Sequence, residues 1–363
     1  MSPSETGGRA PARPGPVVGV DIGGTKTSAG LVDPSGELLA VRTRPTPATR
    51  GPAEVMRTAA ELVRELAELG GGAGSGGGVK PGHAGPGGPG PDGGPGTVTA
   101  VGVGSAGVVD PRRGVVVSAT GAIAGWAGTD LRGELSRALG LPVAVDNDVH
   151  AHALGEQWRG AAAGYRDVLL VAAGTGIGAS LLLGGRVRHG AHSAAGHAGH
   201  LPVAAAAGRP CPCGGRGHVE AVASGPALLA EYRRRAAAVH TGEAAVPGPR
   251  AAAAEVARRD EVTHLAEVAR LAEAGDPVAA AVLTEGATAL GSAIGGLLNV
   301  IDPEIVVVGG GVAGCGALWW DALLEAVSAE ALPALRDIPV EPAALGGAAA
   351  LLGAARLVLE PER

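Results

Sequence analysis

Blocks of apolar residues, separated by turns containing glycine or proline, divide the chain into predicted strands and helices. Residues 17–20 and 29–32 are largely apolar on either side of a double-glycine turn, which predicts a β-hairpin within residues 17–44. Residues 53–69 place apolar side chains at helical spacing, with charges on the opposite face. Further strands are predicted at 98–104, 142–146, 167–172 and 304–308, a hairpin at 177–188, and a closing helix at 344–358. Strands alternate with helices throughout, which indicates an α/β fold.

Three stretches lack this pattern. Residues 1–16 are rich in Pro, Gly and Ser, without the apolar core of a signal peptide, and they predict a disordered tail. Residues 70–96 are almost entirely glycine, proline and small residues, and they predict a disordered surface insertion because they cannot bury a core. A second loose segment is predicted at 236–253.

The length of the chain and its two glycine turns predict two related lobes around a central cleft, because 363 residues are many for a single core. The smaller α/β lobe is predicted to combine residues 17–163 with 348–363. The larger α/β lobe is predicted to span residues 164–347, including a loop at 200–218 that carries cysteine and histidine.

Charge and composition exclude several classes of partner. The net charge is −6 with both signs interspersed, and the absence of a basic stripe argues against nucleic acid. Because no uninterrupted apolar run approaches the roughly 18–20 residues that span a bilayer, no membrane partner is expected, and a cytoplasmic protein is predicted. The chain has only three cysteines, which argues against a framework of disulfide bonds.

The turn that follows the first strand has the chemistry of a phosphate site. Gly23 and Gly24 lack Cβ atoms, so a backbone there can approach an anion and offer N–H groups. Thr25 adds a hydroxyl group and Lys26 a positive charge, and Asp21 is suited to hold Mg²⁺ directly or through water. An ordinary glycine hairpin is the alternative. A second turn of the same kind, Gly174-Thr175-Gly176, follows a later strand and predicts a clasp on phosphate from the opposite lobe.

Two carboxylates flank an asparagine where another predicted strand ends and a helix begins, at Asp146-Asn147-Asp148. Ligands of α/β proteins bind at strand ends, so Asp148 is suited to act as general base on a substrate hydroxyl and Asn147 to position a neighbouring hydroxyl. The alternative is that Asp146 or Asp148 merely caps the helix. His150 and His152 lie two residues apart on different helix faces and are interpreted as structural or surface residues.

Two thiols and two imidazoles lie within about twenty residues of a glycine-rich loop, at His200, Cys211, Cys213 and His218. This donor set fits a closed tetrahedral Zn²⁺ site. Because no ligand position is left open for a catalytic water, a structural zinc is predicted, and unliganded cysteines are the alternative.

Together these segments resemble the ROK family of bacterial repressors and sugar kinases, from residue 17 to about residue 357 without the two loose segments. The matching motifs are Asp-x-Gly-Gly-Thr-Lys (21–26), Gly-x-Gly-Ser-Ala-Gly (102–107), Asp-Asn-Asp (146–148), Gly-Thr-Gly-Ile-Gly (174–178), Ala-Gly-His-Ala-Gly-His (195–200), the Cys-x-Cys loop, Glu-Ala-Val-Ala-Ser-Gly (220–225) and Val-Gly-Gly-Gly-Val (308–312). The resemblance implies an actin-like, RNase H-like fold of two lobes that close on ATP and a sugar, and a homodimer.

The resemblance also implies roles for single residues. Asp148 is expected to take the proton from the sugar 6-hydroxyl. The residues expected to contact the sugar are Asn147, Gly107, His197, His200 and Glu220, of which His200 also binds zinc. The residues expected to bind ATP and Mg²⁺ are Asp21, Gly23, Gly24, Thr25, Lys26, Gly174, Thr175 and Gly176, with Gly309, Gly310 and Gly311 against the nucleoside.

The chain departs from the family pattern at three places. His218 replaces the third cysteine of the zinc loop, and the asparagine usually found shortly before Gly125-Trp126 is missing. His197 stands where the family usually has a glutamate that contacts hydroxyls near carbons 1 and 2 of the sugar. Family members that phosphorylate N-acetylmannosamine can carry histidine there, so His197 favours this sugar as the substrate.

Other functions within the family stay open at this point. Glucokinase and N-acetylglucosamine kinase are the alternatives of the same reaction type. A ROK-type regulator without its DNA-binding domain is a further alternative, since only about sixteen residues precede the first strand and they have no room for a three-helix DNA-binding unit. A catalytically silent sugar sensor is disfavoured because Asp148 and both phosphate turns are present.

Overall fold

The computed structural model describes residues 15–71, 97–240 and 262–360. The predicted tail, and the glycine-rich insertion apart from its first two residues, lie almost wholly outside these ranges. The predicted loose segment at 236–253 is wrong for its first five residues, which end a helix, Gly225–His240. Alanine and arginine are strong helix formers and dominate this stretch, so the helix continues to the limit of the described chain.

The first sheet has five strands, and its order places three parallel strands beside a hairpin. From one edge to the other it comprises β3 (Leu38–Pro45), β2 (Lys26–Val32), β1 (Val17–Ile22), β4 (Val101–Ser105) and β7 (Val143–Asn147). β1 pairs antiparallel with β2 and parallel with β4, and β4 pairs parallel with β7. The carboxyl ends of β1, β4 and β7 therefore meet at one edge of the sheet.

The second sheet repeats this order. It comprises β10 (Arg186–Val187), β9 (Ile177–Leu183), β8 (Val168–Ala173), β11 (Ile305–Gly309) and β12 (Val340–Pro342). The β8–β9 hairpin and the parallel pairs of β11 with β8 and β12 correspond to the hairpin and parallel strands of the first sheet. A two-stranded ribbon, β5 (Val108–Asp110) with β6 (Val115–Ser118), lies outside both sheets.

Helices pack on the sheets and complete the layers. They are α1 (Pro52–Gly71), α2 (Leu131–Leu139), α3 (Asp148–Arg159), α4 (Glu220–Ala223), α5 (Gly225–His240), α6 (Leu265–Glu273), α7 (Pro277–Ile301), α8 (Ala317–Glu330) and α9 (Ala348–Leu359). The last helix, α9, lies directly against β1 and β4 of the first sheet. A Cβ atom on Gly19 would come within 1.9 Å of the Leu351 carbonyl oxygen, and one on Gly102 within 1.7 Å of the Ala354 carbonyl oxygen. Glycine is therefore required for this close approach. The division of the chain at residues 163 and 347 stays a prediction.

Among the described residues, one helix, α7, is long and apolar enough to cross a membrane by its length and composition. Two thirds (67%) of the most apolar 18-residue stretch of α7 is buried inside the protein. The helix α7 packs there against α8 in the core of the second lobe. A buried core helix passes the same test of length and composition, so α7 is weak support for a membrane span.

Candidate active site

The first glycine turn joins β1 to β2 and is stabilised by hydrogen bonds from Thr46, which lies after β3. The Gly23 N–H donates to the Lys26 carbonyl (3.0 Å), which closes the turn. The Thr46 hydroxyl donates to the Gly23 carbonyl (2.8 Å), and the Thr46 N–H donates to the Thr25 carbonyl (3.0 Å). Sequence reasoning missed Thr46, because its contact with the turn arises only when β3 pairs with β2.

The second glycine turn joins β8 to β9 and is held by Glu220. The Gly174 N–H donates to the Gly176 carbonyl (2.9 Å), and Thr175 is exposed at the tip. One carboxylate oxygen of Glu220 accepts from the Ile177 N–H (2.8 Å), directly after the turn. Glu220, which we expected to contact the sugar, thus also positions the second turn.

The end of β11 faces the first turn across a cleft of about 470 Å³. Asp21 and Lys26 line the cleft from the first lobe, and residues 309–311 line it from the second. Gly310 has a φ of +90°, and a Cβ atom there would lie 2.2 Å from the Ala173 carbonyl oxygen. This position therefore requires glycine both for its backbone conformation and for its packing.

His152 also lines this cleft, although sequence reasoning interpreted it as a structural or surface residue. Its Nε2 atom is buried and has no hydrogen-bond partner among the described residues. Burial lowers the pKa of His152, partly offset by the charge of Glu156. His152 lies four residues after Asp148 on α3, so the i, i+4 spacing was the available signal that both share a helix face.

Asp21 and Asp148 face each other at the carboxyl end of the first sheet. Burial, and then the negative charge of Asp148, raises the pKa of Asp21 to about 7, and Lys26 opposes this shift. Burial also raises the pKa of Asp148, against a hydrogen bond from the Val149 N–H (2.9 Å). Gly104 of β4 is level with Asp21, and a Cβ atom there would lie 3.3 Å from the Asp148 Cα atom. The missing side chain at Gly104 leaves space between the two acids.

Asp146 has a different role from its neighbour. Burial alone would raise the pKa of Asp146, but hydrogen bonds to His150 Nδ1 (2.9 Å) and His189 Nε2 (2.8 Å) outweigh it and lower the pKa to about 2. His150 comes from α3, whereas His189 follows β10 of the second sheet. Asp146 therefore ties the two lobes together, a role that no pattern within either segment predicts.

The alternative interpretation, in which Asp146 or Asp148 caps α3, is wrong, because Asn147 is the N-cap. The Asn147 side-chain oxygen accepts from the N–H groups of Val149 (2.8 Å) and His150 (3.2 Å). Its amide group donates to the Gly107 carbonyl (2.9 Å). The structure thus brings together Asn147 and Gly107, two residues that we expected to contact the sugar.

His200, Cys211, Cys213 and His218 converge as the sequence predicts. Their ligand atoms all lie within 4.8 Å of one another. Cys211 Sγ is 3.6 Å from His200 Nδ1, and Cys213 Sγ is 3.2 Å from His218 Nδ1. Two sulfur and two nitrogen donors at these separations fit a tetrahedral zinc site.

His197 lies beside this cluster, with its ring stacked on that of His200 at a centroid distance of 6.3 Å. Its Nδ1 atom donates to the Ala194 carbonyl (3.0 Å), since a carbonyl oxygen only accepts. Burial lowers the pKa of His197, so the ring is neutral near pH 7 and its Nε2 atom is an acceptor.

Comparisons with known proteins support the family resemblance and the fold. A sequence model of the ROK family matches residues 92–361. Glucokinase from Streptomyces coelicolor is 32% identical over 359 residues, covering 96% of this chain and 99% of the relative. The crystal structure of a ROK family glucokinase from Streptomyces griseus, in complex with glucose and AMPPNP, is 32% identical and superposes with a TM-score of 0.72, covering 94% of this chain and 99% of that chain.

A solved structure of a candidate N-acetylmannosamine kinase from Listeria monocytogenes is 25% identical. It superposes with a TM-score of 0.70 and covers 96% of this chain and 100% of that chain. The superpositions confirm the predicted actin-like α/β fold.

Proposed function

Because the chain belongs to the ROK family and is an ATP-dependent sugar kinase, we propose that its substrate is N-acetylmannosamine, phosphorylated at the 6-hydroxyl. The observation that carries this proposal is His197, which stands where the family usually has a glutamate. Glucose and N-acetylglucosamine are the alternatives, and the similarity to glucokinases favours the first of them.

The chemistry of His197 supports a sugar with an acetamido group. A glutamate carries a negative charge and accepts hydrogen bonds from hydroxyl groups. The neutral His197 ring has its Nδ1 proton engaged by Ala194, which leaves Nε2 as a single uncharged acceptor. An acetamido N–H at carbon 2 supplies one donor to such an acceptor.

Asp148 is the proposed general base. It is the first residue of α3, and burial raises its pKa, which makes the carboxylate a stronger acceptor for the proton of a substrate hydroxyl group. Phosphoryl transfer needs in-line positioning and charge stabilisation more than covalent work by the protein. Asn147 is fixed by its cap and by Gly107, so the residue next to the base is rigid.

The two glycine turns and residues 309–311 are proposed to hold ATP, and Asp21 is proposed to hold Mg²⁺. The negative charge of Asp148 raises the proton affinity of the buried Asp21 carboxylate, and a divalent cation fits there because its charge relieves this repulsion. When bound, Mg²⁺ neutralises charge on the phosphates. Lys26 adds a positive charge at the same turn.

We further propose that His200, Cys211, Cys213 and His218 bind a structural Zn²⁺. The loop buries few apolar side chains, so the metal would stabilise its fold, and His200 would then be oriented toward the sugar. The homodimer and the cytoplasmic location implied above stay predictions, the first to be tested by light scattering at several protein concentrations.

The test of the substrate is a coupled ADP-release assay with Mg·ATP against N-acetylmannosamine, N-acetylglucosamine, glucose and mannose. We expect the highest kcat/KM for N-acetylmannosamine. The matched variant His197→Glu restores the usual family residue and should shift the preference toward glucose. A wild-type enzyme that prefers glucose, with His197→Glu leaving that preference unchanged, would exclude the substrate proposal.

A further inference from the structure

A second cavity, of about 600 Å³, lies between the two lobes and away from the nucleotide cleft. On one side it is bounded by β7, the edge strand of the first sheet, and on the other by β10, the edge strand of the second. Its inner wall includes Asp146 and His189, the pair that joins the lobes. None of the residues to which the kinase reaction is assigned lines it.

Four arginines from four separate elements of the chain line this cavity. Arg112 and Arg132 come from the β5–β6 turn and α2, Arg186 comes from β10, and Arg356 comes from α9. Glu360 is also present and pairs with Arg356 at 3.1 Å. Within the described ranges, no carboxylate pairs with Arg112, Arg132 or Arg186, so the cavity carries an excess of positive charge.

Two of these guanidinium groups are held in place by neutral acceptors. Arg132 donates to the carbonyl groups of Arg112 (2.7 Å) and Pro111. Arg356 donates to the Gln157 side-chain oxygen (2.9 Å) and the Leu154 carbonyl (3.3 Å). A carbonyl group fixes an arginine without cancelling its charge. Arg132 is therefore positioned in advance but not neutralised, which lowers the entropic cost of binding an anion.

We propose that this cavity binds a phosphate group of a small molecule, bridged by Arg112 and Arg132 from the first lobe and Arg186 from the second. Guanidinium groups match the oxygens of phosphate with paired hydrogen bonds. A concave site of this volume accommodates a metabolite, and the acidic net charge of the chain gives no extended basic surface for a nucleic acid.

The binding measurement uses the full-length protein with saturating Mg·AMPPNP, so that the nucleotide cleft is occupied. Inorganic phosphate and a hexose 6-phosphate are titrated separately by calorimetry. We expect saturable binding of at least one probe, weakened about tenfold or more in Arg112→Gln/Arg186→Gln, since each lost charged contact contributes on the order of a tenfold change in Kd. Tighter binding of the hexose phosphate than of inorganic phosphate would identify a sugar phosphate as the ligand. Equal binding of the two would show that the cavity recognises the phosphate group alone.

Arg113→Gln is the matched control, because Arg113 is exposed in the same turn and does not line the cavity. Arg112 and Arg186 are also exposed, so their substitution is not expected to disturb folding. The proposal is overturned if neither probe binds at millimolar concentration, if Arg113→Gln weakens binding as much as the double variant does, or if binding is unchanged in the double variant. None of these readouts depends on which sugar the kinase phosphorylates.

Discussion

The two lobes share one backbone plan, but they differ in the residues they place at its key positions. Asp21 is paired with Gly104 on the neighbouring parallel strand, and in the second lobe Ala172 is paired with Gly309 in the same way. Each lobe thus has a hairpin turn beside a glycine of the next strand. The carboxylate is present in the first lobe alone.

The repeated fold provides a glycine turn in each lobe, whereas the proposed chemistry requires carboxylates in one lobe only. Two turns with open backbone are suited to contact the phosphates from both sides of the cleft. A base and a cation ligand are needed once, and Asp148 and Asp21, at the edge of the first sheet, are the residues proposed for these roles. The second lobe instead has an uncharged turn held by Glu220, together with the cysteine–histidine cluster.

The largest loss of kinase activity is expected from Asp148→Asn. Removal of a general base lowers kcat by about 10²–10⁴-fold, while the amide keeps the size of the side chain and its place at the start of α3. The measurement is single-turnover ADP formation together with calorimetric binding of sugar and nucleotide. Full activity in this variant, with unchanged binding, would show that Asp148 is not the base.

Asp21→Ala places in the first lobe the residue type that the second lobe has at the equivalent position, Ala172. We expect a loss of kcat/KM of roughly 10²-fold, the size found when one preorganised electrostatic contact is removed, and a higher Mg²⁺ requirement. The reciprocal control Ala172→Asp should not restore activity to Asp21→Ala, because the described residues of the second lobe include no carboxylate in the position that Asp148 has in the first. Restored activity would show that the two turns are interchangeable.

Gly310→Ala should destabilise the second lobe by about 1–3 kcal/mol. The added Cβ atom would lie 2.2 Å from the Ala173 carbonyl oxygen, at a φ of +90°. The matched control is Gly311→Ala, since nothing lies within 4 Å of a Cβ atom there. Urea unfolding of both variants measures the effect, and equal stability of the two would contradict the packing described.

His189→Ala removes a hydrogen bond between the lobes and should lower the free energy of unfolding by about 1–3 kcal/mol near pH 7. The pKa of Asp146 is lowered to about 2 in the folded protein, compared with about 3.9 in the unfolded chain. The ionised Asp146 therefore adds fully to the free energy of unfolding above about pH 3.9, and this stabilisation is lost as the pH falls through the folded-state pKa. The difference between wild type and variant should therefore narrow below about pH 4.

The control for this measurement is His192→Ala, an exposed histidine in the same segment. Unfolding of all three proteins by urea at several pH values provides the readout. A difference between wild type and His189→Ala that stays constant from neutral pH to about pH 3 would exclude the Asp146 bond as its cause.

Local patterns in the sequence were sufficient for much of the fold and for part of the site. The apolar runs of β1, β4, β8 and β11 are short and bounded by glycine, so their strands could be predicted from periodicity and turns. The motifs at residues 21–26, 146–148 and 174–178 supplied the family resemblance, and the match at residues 92–361 confirms that family. Each of these signals lies within one continuous segment.

Contacts between distant segments required the tertiary structure. Thr46 reaches the first turn only through strand pairing, and His189 reaches Asp146 across the two lobes. Asn147 is the N-cap of α3, and its amide group also donates to the Gly107 carbonyl, forty residues away in sequence. A sequence pattern determines which residues share a strand or helix face. Which of them meet across the protein depends on the packing of both sheets, and that is decided by the folded chain as a whole.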